Sequence, residues 1–314
     1  MEWLWILPLV LVVLALLTAL VCFYMAFYSS RRKPKEEFPI PHGKAYEPYR
    51  EQMVAWMKET RALPHEEVSL TSFDGLTLRG KFYEYQPGAP IELMMPGYRG
   101  LADRDLCGGV QRCFTLGRSA LVVDQRACGD SQGHVITFGL RESRDCLDWA
   151  WYLHRRFEGK VPLYLTGISM GAATVLMAAG SDNVPPSVIG GVADCGYSSA
   201  KAIICKVIRQ MGLPPKLLYP FVRLGALVYG GFDPNKAQPV EAVKRCRLPV
   251  FFIHSLGDDF VPYDMSVENH AACPTDKALF SVPKVGHGLA YLGDTQGYIR
   301  AIREHDPLQN RNSV

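Results

Sequence analysis

Three residues of this chain have the types and the order that nucleophilic catalysis by serine requires. Ser169 lies in a Gly-x-Ser-x-Gly pentapeptide, Asp258 follows later in the chain, and His287 comes last. A serine hydroxyl is a weak nucleophile until a neighbouring base takes its proton, and that base needs a carboxylate to orient it. The order predicts acyl transfer, with Ser169 as nucleophile, His287 as general base and Asp258 as the orienting acid.

The segments around Ser169 predict a sharp turn between a strand and a helix. Residues 161–166 form a short apolar run that is typical of a strand buried on both faces. Residues 172–179 are small and compatible with a helix that ends at Gly180. Such a turn lifts the serine oxygen above the sheet, and the glycines on either side leave room that a Cβ would fill.

Strand patterns also precede the acid and the base. Residues 248–254 form an apolar run, and Asp258 follows it in a loop that contains a glycine. Residues 278–282 predict a last strand, with His287 shortly after it. Functional groups of open parallel sheets lie beyond the carboxyl ends of the strands, and all three candidates are expected there.

Together these motifs resemble the serine α/β-hydrolase superfamily. The resemblance covers about residues 65–305. It is carried by residues 167–171, a His-x-x-x-Asp-x-x-Val-Pro run at 254–262, the Gly-His-Gly at 286–288, and residues 124–131, which resemble the family's Asp-x-Arg-Gly-x-Gly-x-Ser loop. The chain is similar to membrane-anchored bacterial members near the acylaminoacyl-peptidase-like and carboxylesterase-like branch. The resemblance implies an α/β fold with a mostly parallel, doubly wound sheet.

The resemblance also implies an oxyanion hole. By the family's pattern, the backbone N–H groups of Tyr98 and Met170 hold the negative oxygen of the tetrahedral intermediate, and each such donor contributes about 3–4 kcal/mol. Residues 91–95 predict the strand before Tyr98. The family often has His-Gly before this residue, where the chain has Met-Pro-Gly, and a glycine where the chain has Ser255. An ordinary Pro-Gly turn is the alternative.

Other acidic and histidine residues compete for these roles. Asp259 is an alternative acid one position later, although the fit to the family's Val-Pro favours Asp258. Asp194 ends a strand-like run and is either an acid in a variant topology or a carboxylate that caps a loop. His254 is expected to be a hydrogen-bonded structural residue, and His305 is expected to face solvent.

The segment 198–234 interrupts the alternation of strands and helices. Two helix-like stretches, 200–211 and 217–229, predict a small helical cap that narrows and lines the acyl pocket. Arg99 and Tyr197 are the candidate substrate contacts, and packing is an equal alternative for Tyr197.

The amino terminus carries a separate pattern. Residues 3–30 contain no charged side chain, and as a helix they would extend about 42 Å, enough to cross a hydrocarbon core of about 30 Å. Aromatic residues flank this run, with Trp3 and Trp5 at its start, and residues 31–35 hold four Arg and Lys. The pattern predicts a single-pass anchor in the cell membrane, and the positive-inside rule places residues 31–314 in the cytoplasm.

The predicted organisation has three parts. Residues 3–30 are the transmembrane anchor, residues 31–64 a juxtamembrane linker and helix, and residues 65–314 the hydrolase domain. The helix is amphipathic, with two methionines and a tryptophan available for docking. A chain that begins near Lys35 is expected to be soluble and active, because the hydrolase core would bury its own apolar surface.

Composition excludes several function classes. A net charge of +3 gives no basis for nucleic-acid binding, and the eight histidines have no metal-ligand spacing. No dinucleotide fingerprint or P-loop occurs, so neither a metal nor a cofactor is expected. The eight cysteines after the anchor lack disulfide spacing, which favours reduced thiols and agrees with a cytoplasmic location.

The expected partners are a small-molecule acyl substrate and the lipid bilayer. A carboxylic ester is the preferred substrate, because esters are the least demanding for this machinery and the predicted cap looks apolar. A peptidase or amidase of the same fold is the first alternative. The alternative from a different class is a catalytically silent, hydrolase-fold binding protein, and the intact Ser169, Asp258 and His287 argue against it.

Overall fold

A computed structural model describes residues 6–30, 36–41 and 43–311, and within these ranges the chain forms one eight-stranded sheet. The strands are β1 (Glu66–Thr71), β2 (Thr77–Tyr83), β3 (Ile91–Met95), β4 (Ser119–Val123), β5 (Leu163–Ile168), β6 (Val188–Asp194), β7 (Val250–Ser255) and β8 (Lys277–Val282). Their order across the sheet is β1-β2-β4-β3-β5-β6-β7-β8. β1 and β2 form an antiparallel hairpin, β2 is antiparallel to β4, and the other neighbours are parallel.

Helices alternate with the parallel strands. They are α1 (Ile6–Ala26), α2 (Arg50–Ala62), α3 (Ala102–Asp105), α4 (Gly109–Thr115), α5 (Glu142–Arg156), α6 (Met170–Ala179), α7 (Ala200–Gln210), α8 (Pro215–Gly225), α9 (Pro239–Val243), α10 (Tyr263–Ala272), α11 (Ala290–Gly293), α12 (Thr295–Glu304) and α13 (Pro307–Arg311). Short 3₁₀ turns occur at Glu47–Tyr49 and Pro234–Lys236, and a π-helical turn at Ala226–Gly230 follows α8. This is the mostly parallel α/β architecture that the sequence predicts.

The burial of the central strands accounts for their apolar sequences. β3, β4, β6 and β7 are buried along their whole length, which is why their sequences read as continuous apolar runs. Glu92 in β3 is charged although it is buried, and its carboxylate accepts hydrogen bonds from the buried guanidinium groups of Arg112 and Arg118. A buried charge is tolerated when it is paired in this way.

The end of α1 is part of the packed structure. Phe27, just beyond the helix, is fully buried, and its ring meets those of Phe138 and Phe232 edge-on, with centroids 5.7 and 5.1 Å away. The N–H of Ile136 donates to the Phe27 carbonyl at 2.8 Å. These contacts contradict the expectation that the domain buries its apolar surface without its first thirty residues. A chain that begins near Lys35 would lack Phe27 and would leave Phe138 and Phe232 partly uncovered.

We therefore expect Phe27→Ala to destabilise the domain by about 3–5 kcal/mol, because it empties a buried aromatic site. Thermal unfolding of the purified protein in detergent should show a melting temperature lower by roughly 10 °C. Leu11→Ala is the matched control, since Leu11 lies on α1 with 57% of its side chain exposed. Equal melting temperatures for the two variants would contradict the docking of this segment.

Candidate active site

Ser169 lies in a tight turn between β5 and α6, as the sequence predicts. Its φ of 57° and ψ of −118° fall where a residue with a side chain is rarely found. The glycines of the pentapeptide are required by close approach: a Cβ on Gly167 would collide with the backbone of Gly171, and one on Gly171 with the carbonyl of Met95. The Ser169 N–H donates to the Asp194 carbonyl at 2.8 Å, which fixes the strained turn to β6.

The structure brings the three predicted catalytic residues together. The Ser169 hydroxyl donates to Nε2 of His287 at 2.8 Å, and Nδ1–H of His287 donates to Oδ2 of Asp258 at 2.6 Å. The three side chains come from the loops after β5, β8 and β7, at one edge of the sheet. This geometry can pass a proton from the serine to the histidine while the carboxylate holds the imidazole in place.

Asp258, and not Asp259, faces the histidine. Oδ1 of Asp258 accepts the N–H groups of Phe260 and Val261 at 2.9 and 2.8 Å, so the carboxylate also organises its own loop. Burial acts to raise the pKa of Asp258, but hydrogen bonds from His254 and His287 outweigh it and hold that pKa below its usual range. The Asp259 side chain is exposed, and its backbone carbonyl accepts a hydrogen bond from Lys206.

His254 is a buried structural histidine, as expected, with a contact that the sequence reasoning missed. Its Nδ1 lies 2.7 Å from the Ser266 hydroxyl, and its Nε2 lies 3.0 Å from the Val261 carbonyl and 3.2 Å from Oδ2 of Asp258. A ring nitrogen that accepts from the serine leaves the other to donate toward the carboxylate. The spacing of four residues between His254 and Asp258 was the available signal.

The predicted oxyanion loop passes beside the nucleophile. A Cβ on Gly97 would lie 3.6 Å from the Ser169 Cβ, so the backbone that enters Tyr98 runs against the serine. Nε2 of Gln125, from the motif at 124–131, donates to the Pro96 carbonyl at 2.5 Å and supports this loop. Met170 is the first residue of α6. The roles of Tyr98 and Met170 as oxyanion donors stay predictions.

Comparison with solved structures identifies the fold. The chain resembles the Pyrococcus furiosus esterase Pf2001 with a TM-score of 0.62 and 19% identity, over 85% of this chain and 95% of that one. It resembles the hydrolase GrgF from Penicillium sp. sh18 with a TM-score of 0.60 and 18% identity, over 77% and 99% of the two chains. The chain has the α/β-hydrolase fold. The predicted fold is confirmed, while membership of the serine hydrolase superfamily and the branch within it stay predictions.

Sequence comparison adds a relative without an assigned activity. The chain is 26% identical to the uncharacterized protein YqkD of Bacillus subtilis over 198 residues, which are 63% of this chain and 64% of that protein. The match thus spans slightly less than two thirds of the relative. No protein-family model matches the chain. These likenesses establish the α/β-hydrolase fold, and the activity has to be argued from the site.

A cavity of about 230 Å³ opens beside Ser169. Apolar side chains from several parts of the chain contribute to its wall, including Met53, Met94, Leu106, Ile168, Leu289 and Leu292. Among the described residues that line it, none belongs to the predicted cap at 198–234, which corrects the expectation that the cap lines the acyl pocket. Helix α8 instead packs on α1 and on α7, and residues of α7 and α8 share a hydrophobic cluster with Met170 and Ala173 of α6.

The two candidate substrate contacts lie outside the lining of this cavity. The Arg99 guanidinium donates to the carbonyls of Met25 and Tyr28 at 3.0 and 2.8 Å, at the end of α1. Tyr197 is buried with its ring against Phe138, as the packing alternative expects. A substrate contact at either position gains no support from this geometry.

Asp194 and His305, the remaining alternatives for the catalytic acid and base, make contacts outside the triad. Asp194 is buried at the edge of the cavity, where its Oδ2 accepts the Tyr298 hydroxyl at 3.0 Å, and burial raises its pKa to about 6. It does not contact His287 through a hydrogen bond in the described part of the chain. His305 is exposed, as expected, and its ring stacks on Phe251.

One group of described residues has metal-ligand atoms within 4.8 Å of one another, namely Cys195, Asp258 and His287. Burial raises the pKa of the Cys195 thiol well above its ordinary value, so the sulfur stays protonated and is a poor ligand. The other two side chains already hold each other by a hydrogen bond. This chemistry favours a hydrogen-bonded triad over a metal centre.

Proposed function

We propose that this chain is a membrane-anchored serine hydrolase that cleaves a carboxylic ester through an acyl-enzyme. The observation that carries the proposal is the pair of hydrogen bonds of His287, one from Ser169 at 2.8 Å and one to Asp258 at 2.6 Å. The serine also sits on the strained turn of the α/β-hydrolase fold. A protein that only binds a ligand requires neither a strained backbone at Ser169 nor a buried, ionised carboxylate at Asp258.

The proposed reaction has two halves. Ser169 Oγ attacks the ester carbonyl as His287 Nε2 takes its proton, and Asp258 stabilises the imidazolium. The N–H groups of Tyr98 and Met170 would hold the oxyanion. The C–O bond then breaks, and the departing alkoxide receives the proton from His287. In the second half His287 deprotonates a water that attacks the acyl-enzyme, which releases the acid and returns the proton to Ser169.

The test of this proposal is covalent labelling with a fluorophosphonate, followed by a substrate screen. The protein should be labelled at Ser169 and should hydrolyse p-nitrophenyl esters faster than aminoacyl p-nitroanilides. Faster cleavage of the anilides would favour the peptidase alternative. Absence of both labelling and turnover would favour the catalytically silent binding protein.

The pH dependence of kcat/KM should have an acid limb from protonation of the proposed base. A protonated imidazole cannot accept the serine proton, so kcat/KM should fall about tenfold per pH unit on the acid side of the profile. Asp258 cannot cause this limb: its pKa is lowered, so its carboxylate would be lost only at pH values below the usual carboxyl range.

The control for this prediction is Asp194→Asn. Burial raises the pKa of Asp194 to about 6, so this carboxyl also gains its proton on the acid side of the profile. If His287 is the base, the variant keeps the acid limb. A limb that disappears in Asp194→Asn would assign it to Asp194 instead.

The proposed membrane attachment rests on α1. This helix of 21 residues is long and apolar enough to cross a bilayer, and its large side chains from Ile6 to Leu17 are mostly exposed. Farther along, the Tyr229 hydroxyl donates to the Leu16 carbonyl at 3.1 Å, and α8 packs beside the helix. Because the second half of α1 is held by the cap, an inserted α1 would bring the cap to the bilayer surface.

Exposed apolar residues of the cap support the same arrangement. They are Met211 and Leu213 between α7 and α8, Leu217 of α8, and Leu227 and Val228 in the turn after α8. We propose a cytoplasmic location for the domain. All nine cysteines are free, which agrees with it. The basic residues at 31–35 and the tryptophans at 3 and 5, which contributed to the anchor and orientation predictions, lie outside the described residues.

The full-length protein should stay with the membrane fraction after washes with high salt and at alkaline pH, because apolar insertion does not depend on charge. Externally added protease should spare the domain in intact cells and digest it after permeabilisation. Release by the alkaline wash would contradict insertion. Digestion without permeabilisation would contradict the cytoplasmic orientation alone.

A further inference from the structure

The residues just before α2 and the first turns of α2 lie beside the proposed active site. Residues 43–57, here called the strap, include a 3₁₀ turn and the first half of α2. The Tyr46 hydroxyl donates to the His287 carbonyl at 2.9 Å. A Cβ on Gly286 would lie 2.7 Å from the Cβ of Ala45, so the strap rests directly on the loop of the proposed base.

The far end of the strap is also fixed. The Trp56 ring stacks on Tyr291 with centroids 5.3 Å apart, and it covers Gly108 so closely that a Cβ there would collide with the indole. Gly108 has a φ of 77°, which suits glycine. Contacts at both ends therefore hold the strap against the core.

Between these ends, the strap supplies part of the cavity wall beside the nucleophile. Tyr46 and Met53 line the same cavity as Ser169 and His287, and Met53 is 3% exposed. Met94 and Leu106, which are both buried, line the cavity as well, so it reaches from the serine into the apolar interior. A flexible, unbranched methionine at such a point adjusts to the shape of a chain beside it.

We propose that the strap forms the acyl-binding wall and that Met53 sets the length of the acyl chain that fits. This inference rests on the proposed function. The acyl group stays bound as the covalent intermediate while the alcohol leaves to admit water, so a cavity that reaches the interior suits the acyl part. Its volume of about 230 Å³ is below the ~300–1,000 Å³ of pockets for drug-sized ligands, which indicates a short to medium acyl chain.

The test compares Met53→Ala and Met53→Phe in the full-length protein, with p-nitrophenyl esters from acetate to laurate. Shortening the side chain should move the preferred ester to a longer chain, and the ratio of kcat/KM for long over short esters should rise at least about tenfold. Met53→Phe should move the preference to shorter esters. Acetate esters of alcohols of graded length should show no such shift.

The matched control is Met57→Ala. Met57 is a fully buried methionine one turn farther along α2, and it does not line the cavity beside Ser169. This variant should lose stability like Met53→Ala and keep the wild-type chain-length profile. An equal shift in both variants, no shift in either, or a shift in the alcohol series would overturn the inference.

Labelling with fluorophosphonate distinguishes a failure of this inference from a failure of the proposed function. If the wild-type protein is neither labelled by fluorophosphonate nor active on any ester, the proposed function fails. If Ser169 is labelled in the wild type and in all variants but the chain-length profile of the Met53 variants is unchanged, only the role of the strap fails.

Discussion

Ser169→Ala is expected to abolish ester hydrolysis and fluorophosphonate labelling while the fold persists. The change removes one oxygen, and the backbone hydrogen bond from residue 169 to the Asp194 carbonyl remains. Loss of the nucleophile in a comparable triad lowers kcat by roughly 10⁶-fold, and a loss of this order is expected here. The measurements are the initial rate on a p-nitrophenyl ester and gel fluorescence after labelling.

Ser143→Ala is a suitable control for this substitution. Ser143 is a serine of similar burial on α5, and its hydroxyl donates to the Leu140 carbonyl at 3.1 Å, away from the proposed site. The control should keep both labelling and turnover. Activity of Ser169→Ala within tenfold of the wild type would mean that Ser169 is not the nucleophile.

Much of the candidate site could be predicted because local sequence patterns encode it. The strand, turn and helix around Ser169 are encoded within about twenty neighbouring residues, and the buried strands read as apolar runs. The order of the three catalytic candidates is visible in the chain, so their meeting at one sheet edge follows from the α/β topology. The choice of Asp258 rather than Asp259 as the acid needed only the motif around these two residues.

The strap could not be predicted because its contacts are not local. Tyr46 and His287 are 241 residues apart, and no periodicity in either segment encodes that they meet. The amphipathic pattern of α2 indicated a docking face that includes Met53 and Met57, and the structure shows that Met53 lines the cavity whereas Met57 does not. A helical pattern shows that a face is buried, but it does not identify the partner.

The packing of the cap on α1 could not be predicted for a related reason. The apolar segment α1 is hydrophobic on all sides, so no pattern distinguishes the side that packs on the cap from the rest of the helix. Ala19, Cys22 and Phe23 are the buried residues, and Gly225 of α8 lies against the Ala19 carbonyl with no room for a Cβ. The sequence therefore indicated an independent anchor, whereas the structure packs it with the cap.

Asp258→Asn is expected to lower kcat by about 10⁴-fold, as the loss of the orienting carboxylate does in a comparable triad. An amide NH₂ at the position of Oδ2 would donate to His287 Nδ1, which must then be unprotonated. Nε2 would carry the imidazole proton and could no longer accept from Ser169. Asp259→Asn should change kcat little, because the Asp259 side chain is exposed and the carboxylate that contacts His287 is that of Asp258.

The same substitution tests whether the acid acts on the histidine or on its loop. Oδ1 of Asp258 accepts the backbone N–H groups of Phe260 and Val261, and an asparagine can keep its carbonyl oxygen there. The loop and the melting temperature should therefore change little while kcat falls and KM stays near its wild-type value. A large fall in melting temperature together with the loss of activity would assign the effect to the loop. The reverse ranking, with Asp259→Asn the more damaging change, would move the acid by one residue.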